Sequence, residues 1–560
     1  MTLGTPNAPY DLIVIGGGIN GAGVARDAAL RGWSVALFEM RDFSTGATWA
    51  SSGMIHGGLR YLKSDPEVTR LACLDSGYIQ QIAPHLIFRI PFIMPWADGG
   101  FAERVVFELA EVYFDTYDRF QPLKRGLAHC RMTAEEVYAV EPGIRPGVIG
   151  AVTMDEWGID AQRLNIVNAL DAGEHGADLH TYTRVDSLLR GDGGDVLGVR
   201  VTDRQTGEQR EVFATQTINA AGPWAGRFAG SQEVSSVQVR PGKGVHVVLA
   251  GRVSNYAVVA EAIDGRQMFL CPQQNTTIIG TTDDDYFGDL EDIPVLQDEI
   301  EYLLQGAEHV FPSVRRYPII GTTVGCRATL HEYGKTEDAL GREHRVFDHS
   351  SEGADGFFSL AGGKLASYRV MSEEAVDVLQ AARTAPVPGS SQECTTHTAR
   401  LPGGDDHDLT VEAFTEFGLS HTAATRLLFR HGSRAEQIRV MLRDHVAYRR
   451  VVDPSDPITE AELRYVMRHE HVERLDDLKR RCRLGVGADG GARSVARAAQ
   501  IFCEERDLPF DLLPEVARAF LQARSADRSA ILRGPAAVSD GLMRMLVHHS
   551  QHLLSRGPSA

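Results

Sequence analysis

Tyr10-Asp11-Leu12-Ile13-Val14-Ile15-Gly16-Gly17-Gly18-Ile19-Asn20-Gly21 is the stretch on which the fold turns. The six residues before Gly16 read as a buried parallel strand, and a helix is predicted from about Ala22 to Arg31. Ser34-Val35-Ala36-Leu37-Phe38-Glu39 follows as a second strand ending in a carboxylate. Gly16 permits the tight turn, Gly18 lets a pyrophosphate approach the backbone, and Gly21 allows close helix–strand packing. The N–H groups at the helix start, around Ile19 and Asn20, attract phosphate. Glu39, 18 residues after Gly21, is placed to accept hydrogen bonds from a ribose. Alone, G-x-G-x-x-G describes many glycine turns; with strand, helix and acid in register it predicts a dinucleotide site.

At 560 residues the chain exceeds one ordinary core, so two or three domains are expected. Hydrophobic content of 43% and charged content of 24% are those of a soluble globular protein. A net charge of −18 argues against nucleic-acid binding and requires any anionic substrate to be held by local basic residues. The seven cysteines form no C-x-x-C pair, which predicts a reducing compartment, no disulfide framework and no metal site. The short polar lead leaves no room for a signal peptide, and no apolar run approaches the ~20 residues of a membrane span. A cytoplasmic protein is expected, free or peripheral on the cytoplasmic membrane.

Strand-and-glycine signals return at Thr217–Trp224 and at Phe357–Lys364, the second followed by a helix from about Ala366 to Ala382. The predicted class is α/β. Residues 8–85, 150–235 and 346–383 are assigned to one discontinuous Rossmann-like domain. Residues 86–149 and 236–345 are assigned to an antiparallel-sheet substrate domain, with strands at Val245–Leu249, Gln267–Leu270 and Thr277–Gly280. The Pro-, Ser-, Thr- and Gly-rich run 384–404 reads as a linker. Residues 405–560 read as a helical C-terminal domain, with an amphipathic helix at Glu460–Arg468.

The first fingerprint is common to nicotinamide and flavin enzymes. Directly after Glu39, the small, polar, glycine-rich run Thr45–Tyr61 resembles the loop that lies along the flavin in the D-amino-acid-oxidase-like superfamily. Asn219-Ala220-Ala221-Gly222-Pro223-Trp224, Ile278-Ile279-Gly280-Thr281-Thr282-Asp283, Gly325-Cys326-Arg327 and Gly362-Gly363-Lys364-Leu365-Ala366-Ser367-Tyr368-Arg369 follow. Their order resembles that in FAD-dependent glycerol-3-phosphate dehydrogenases, over nearly the whole chain. The resemblance implies FAD, held by Gly16, Gly18, Ile19, Asn20, Gly21, Glu39, Thr48, Ser51, Ser52, Gly222, Gly363 and Lys364. It implies oxidation of sn-glycerol 3-phosphate to dihydroxyacetone phosphate, with electrons passed to a quinone or another acceptor. Val452 to Ala499 is similar to the C-terminal region of the anaerobic enzyme's flavin subunit, whose relatives carry an iron–sulfur module. Where that module has cysteines, this chain has Asp453, Ser455, Asp489 and Ser494, so a packing domain without a cluster is expected.

Such an oxidation needs a base for the hydroxyl proton and a clamp that turns the reacting carbon toward the cofactor. Arginine suits the clamp, because its fork meets phosphate oxygens in pairs and stays charged. Arg60, Arg327 and Lys364 resemble the family's substrate-facing basic residues, with Arg369 a weaker fourth and Tyr61 an orienting donor. His56 and His246 are the candidate bases, since imidazole titrates near neutrality. Each also has a plainer reading, as a surface ion pair or a hydrogen-bonded structural ring. Two departures bear on the substrate: Ala328 stands where the family has proline, and Gly53 where the aerobic branch has lysine. Leu86–Trp96 reads as a packing segment, with membrane docking as the alternative. Another small hydroxy or amino acid as substrate, a non-catalytic flavoprotein subunit, and a homodimer all stay open.

Overall fold

The computed structural model describes residues 3–59, 62, 66–97, 100–273, 275–335, 340–341, 343–487, 489–528, 530–532 and 535–550. They divide into two compact units, 1–319 with 323–401, and 320–322 with 402–560.

In the first unit, β1 (Tyr10–Ile15) lies inside a sheet, with Leu12, Ile13 and Val14 fully buried. Burial on both faces is what an uninterrupted apolar run provides for. It pairs in parallel with β2 (Val35–Phe38) on one side and with Gln209–Asn219 on the other. The sheet order is His344–Asp348, Phe357–Gly362, Gln209–Asn219, β1, β2, Asp178–His180. Helix α1 (Ile19–Leu30) begins at Gly18, earlier than the predicted start, because the last residues of the glycine fingerprint are already helical. A Cβ on Gly21 would lie 1.8 Å from the Gly16 carbonyl oxygen, so only glycine permits this approach of helix to turn.

The second sheet runs Asp284–Asp285, Val239–Ala250, Thr276–Gly280, Gln267–Gln273, Ala257–Glu261, Ile87–Ala97, Val148–Ile159, Cys130–Thr133, with Ile319–Leu330 beside Val239–Ala250. Ile87–Ala97 pairs along its length with Val148–Ile159, and its other neighbour meets it only at Phe92 and Ile93. Pro91 and Pro95 therefore sit outside the two-sided stretch, where a missing N–H breaks no second ladder. Ile90, Phe92 and Ile93 are buried, so this segment packs into the molecule. Val148–Ile159 belongs to this second sheet, and the chain returns to the first layer at the helix Ala161–Glu174, later than the expected boundary at 150. The long ladder with Ile87–Ala97 holds it there.

Most of the expected linker is anchored in the first unit. Arg26, buried in α1, donates to the carbonyls of Thr396 and Ala399 and pairs with Asp171 at 2.5 Å. Arg31 donates to the Gln392 carbonyl at 3.3 Å, and its own carbonyl accepts the Ser391 N–H. Guanidinium groups satisfy these carbonyls of irregular backbone, of which only Thr396 is a buried residue.

The second unit is helical, apart from a short hairpin of Val451–Asp453 with Ile458–Thr459. Leu427, Ile438, Leu463, Val466, Ile501 and Phe520 build its core. Thr459 caps the helix Glu460–His469 by accepting the Glu462 N–H at 3.2 Å. The polar face expected on this helix is itself buried: Glu462 pairs with Arg426, and Glu460 with Arg464 and Arg497. Among the described residues, no helix is long and apolar enough to cross a membrane.

Candidate active site

A cavity of about 960 Å³ opens in the first unit where the ends of β1 and β2 meet the second sheet. Gly16, Gly18, Ile19 and Asn20 bring the start of α1 to its wall. The first turn of that helix carries no acidic residue and its N-cap is Gly18, which has no side chain to cap it. A Cβ on Gly18 would meet nothing nearer than the Thr48 hydroxyl, at 3.5 Å, so the protein's own packing does not require glycine there. Open space over a positive helix end fits a pyrophosphate. Thr48 accepts the Ile19 N–H at 3.1 Å and ties the 45–59 loop to the helix. Glu39 lines the same wall, its carboxylate accepting the Gly17 N–H at 2.7 Å and the Arg41 N–H at 2.9 Å. Burial pushes its pKa up. Ser51, Ser52, Gly222 and Gly363 also line the cavity, and these residues together fit a bound dinucleotide.

At the other end, His56, His246, Arg327 and Lys364 all face the cavity. His246 is buried; its Nε2 lies 2.9 Å from the Ser52 hydroxyl and its Nδ1 3.2 Å from that of Thr323. Burial first, and then the Arg327 charge, lower its pKa to about 4, so the ring is neutral at neutral pH. Arg327 pairs with Asp283 at 2.8 Å and donates to the Thr281 hydroxyl and the Thr282 carbonyl, each at 3.2 Å. Lys364 donates to the Gly57 carbonyl at 3.3 Å. Phe92, Met94, Met154, Val259 and Phe269 supply apolar wall.

The structure does not bring every expected residue here. Arg369 is buried in the helix Tyr368–Ala381, paired with Asp75 at 2.5 Å and Glu373 at 2.6 Å, and does not reach the cavity. Two ready carboxylates claim its fork, which makes it a structural cross-link. Gly21 shapes the turn from behind the cavity wall. Arg60 and Tyr61 lie outside the described residues. Gly53 has φ +64°, and a Cβ there would meet the Ile159 carbonyl at 2.9 Å, so this backbone is built for glycine. In the second unit, Asp453 accepts the N–H groups of Ser455 at 2.9 Å and Gly485 at 3.0 Å. Asp489 accepts those of Gly491 at 3.3 Å and Arg493 at 3.2 Å.

Sequence reasoning missed the parts played by Asp283, Thr323, Arg266 and Glu156. Asp283 closes the quoted run Ile278–Asp283, so its position was visible but its partner was not. Thr323 precedes Arg327 by four residues on the strand Ile319–Leu330, and strand alternation puts both on one face. Glu156 follows Met154 on Val148–Ile159 in the same way. Arg266, which donates to the Asp283 carbonyl at 2.7 Å, carried no signal.

Residues 11–369 match the FAD dependent oxidoreductase family, and residues 394–508 the C-terminal domain of alpha-glycerophosphate oxidase. The chain is 31% identical over 503 residues to one of the subunits of the anaerobic glycerol-3-phosphate dehydrogenase of Escherichia coli K12, covering 87% of each. It is 30% identical over 453 residues to the aerobic glycerol-3-phosphate dehydrogenase of Staphylococcus aureus USA300, covering 77% of this chain and 79% of that one. The glycerol-3-phosphate dehydrogenase of Bacillus halodurans, solved in complex with FAD, has the same fold. Its TM-score is 0.74 at 24% identity, over 94% of this chain and 96% of that chain.

Proposed function

Because this chain belongs to the FAD-dependent glycerol-3-phosphate dehydrogenases, we propose that it oxidises sn-glycerol 3-phosphate to dihydroxyacetone phosphate. The observation that carries this reading is the gathering of Arg327, Lys364 and a neutral His246 around the cavity onto which α1 opens. In a chain of net charge −18, such local cations are what an anionic substrate needs.

Arg327 holds the phosphate, its own orientation set by Asp283 and Thr281, and this directs the secondary alcohol toward the cofactor. Lys364 adds a second positive charge to that wall. His246 takes the hydroxyl proton at Nε2, the nitrogen that lies 2.9 Å from the Ser52 hydroxyl in the same cavity wall. Phosphate bound on Arg327 offsets one of the two causes of the low His246 pKa, so substrate makes the ring more basic. His56 is the alternative acceptor. Bound FAD supplies the hydride acceptor.

For reoxidation, the reading favours a quinone reached at a membrane surface. Tyr113, on the helix Phe101–Asp118, lines the cavity, and the same helix exposes Phe101, Val106, Leu109 and Val112.

Steady-state turnover with sn-glycerol 3-phosphate and with glycerol tests the phosphate clamp, using a soluble dye and then a short-chain quinone as acceptor. Wild-type kcat/KM should favour the phosphate by about a hundredfold or more, and R327A should lose most of that preference while retaining FAD. Equal loss of FAD and of phosphate preference would make Arg327 structural. Turnover with dye and none with quinone would contradict the proposed acceptor.

A further inference from the structure

Gly57 follows His56 in the loop along the cavity, and its peptide is seated against buried side chains that the reaction as derived does not use. A Cβ on Gly57 would lie 2.4 Å from the Cys73 sulfur and 2.6 Å from the Tyr117 hydroxyl. Its N–H donates to Glu156 Oε2 at 3.4 Å, and its carbonyl accepts from Lys364 at 3.3 Å. Glu156 is only 2% exposed, yet it lines the cavity. Lys124, wholly buried, lies 2.8 Å from Glu156 Oε2 and donates to the Tyr117 hydroxyl at 3.1 Å and the Asp155 carbonyl at 2.5 Å. Tyr117 donates to Glu156 Oε1, and the Lys124 ammonium stands 4.7 Å from the centre of its ring. Burial, then the charge of Glu156, pushes the Tyr117 pKa well above its ordinary value, so it remains a donor. Three separate elements, Phe101–Asp118, Gln121–Lys124 and Val148–Ile159, supply this trio.

A buried ion pair is a poor source of stability, because desolvation offsets the attraction, and apolar side chains would fill the same volume. Its geometry acts instead on what it touches. We propose that Glu156, oriented by Lys124 and Tyr117, is a positioning residue that fixes the Gly57 peptide beside His56. One partner sits on each carboxylate oxygen, so the acceptor offered to Gly57 cannot swing away. Lys364 donates to the carbonyl of the same residue, on the next peptide, so a fixed Gly57 ties His56 to the Lys364 ammonium at the cavity wall. The catalytic part of this inference rests on the functional reading above.

Two charge-neutral double variants separate positioning from filling. K124M/E156Q keeps a carbonyl acceptor, whereas K124M/E156L removes it at similar volume. Hydrogen–deuterium exchange of the FAD-loaded protein reads the loop directly. Uptake over residues 53–59 should be about fivefold faster or more in the Leu variant than in the Gln variant, with β1 unchanged. With glycerol 3-phosphate, kcat should fall about tenfold between the same two variants, and KM should change by less than about twofold. Should the Leu variant not fold, Y117F against wild type gives the same comparison, since it releases Glu156 Oε1 and keeps every charge. Equal uptake over 53–59 in the compared proteins overturns the positioning role, whatever the substrate. Faster loop exchange in a protein whose wild type ignores glycerol 3-phosphate supports the positioning role and overturns the functional reading.

Discussion

His246 stands in the cavity between two hydroxyls, and its low pKa has consequences for activity as pH changes. A base must be unprotonated, so activity through His246 is lost as pH falls through its pKa. With that value held to about 4 by burial and by Arg327, kcat/KM, with the substrate phosphate's own ionisation near pH ~6 divided out, should stay flat down to about pH 5 before falling. The limb in kcat should lie higher, because bound phosphate offsets the Arg327 charge. A limb near the ordinary histidine value of ~6.5 that persists after the substrate phosphate's own ionisation (pKa ~6) is divided out would assign the proton to another group. At this scale, residue type and motif pointed to His246, Arg327 and Lys364. The partners that fix them were less legible: strand alternation brings Thr323 to His246 and Glu156 to the cavity, and it needs a register that single-sequence patterns do not supply. Arg369 misled because a motif position says nothing of the carboxylates Asp75 and Glu373, which come from elsewhere in the chain or one turn on.

The β1–turn–α1 element assigns its glycines different tasks, and substitution should separate them. Gly21→Ala drives a methyl into the Gly16 carbonyl, which backbone cannot relieve, and should destabilise the first unit by about 3 kcal/mol or more in denaturant titration. Gly18→Ala meets only the Thr48 hydroxyl at 3.5 Å, so the protein should melt within about 2 °C of wild type. Its FAD affinity should nonetheless fall about tenfold or more, because the methyl occupies the space above the helix end. Wild-type affinity in Gly18→Ala would remove the pyrophosphate from this turn. β1, α1 and β2 were readable because their periodicity is local. The placement of Val148–Ile159 was not, since its layer is decided by a ladder to Ile87–Ala97, a non-local pairing. The 384–404 run looked like a linker by composition, and contacts such as the reach of Arg26 and Arg31 from α1 show it anchored.

Across the whole molecule, one unit carries both sheets and the cavity, and the other is a helical body with its own apolar core. The family matches at residues 11–369 and 394–508 follow much the same division. In the helical unit, Asp453 and Asp489 spend their carboxylates on backbone N–H groups at positions where relatives of the resembling flavin subunit hold thiolates. Neither offers the soft sulfur that iron–sulfur clusters use. The most direct measurement is an anaerobic titration of the FAD-loaded protein with sn-glycerol 3-phosphate, following the visible flavin band and the dihydroxyacetone phosphate formed. Bleaching of the band in step with product, one molecule for each FAD, is the predicted result. A band that persists with this substrate, yet is bleached by dithionite, would contradict the account.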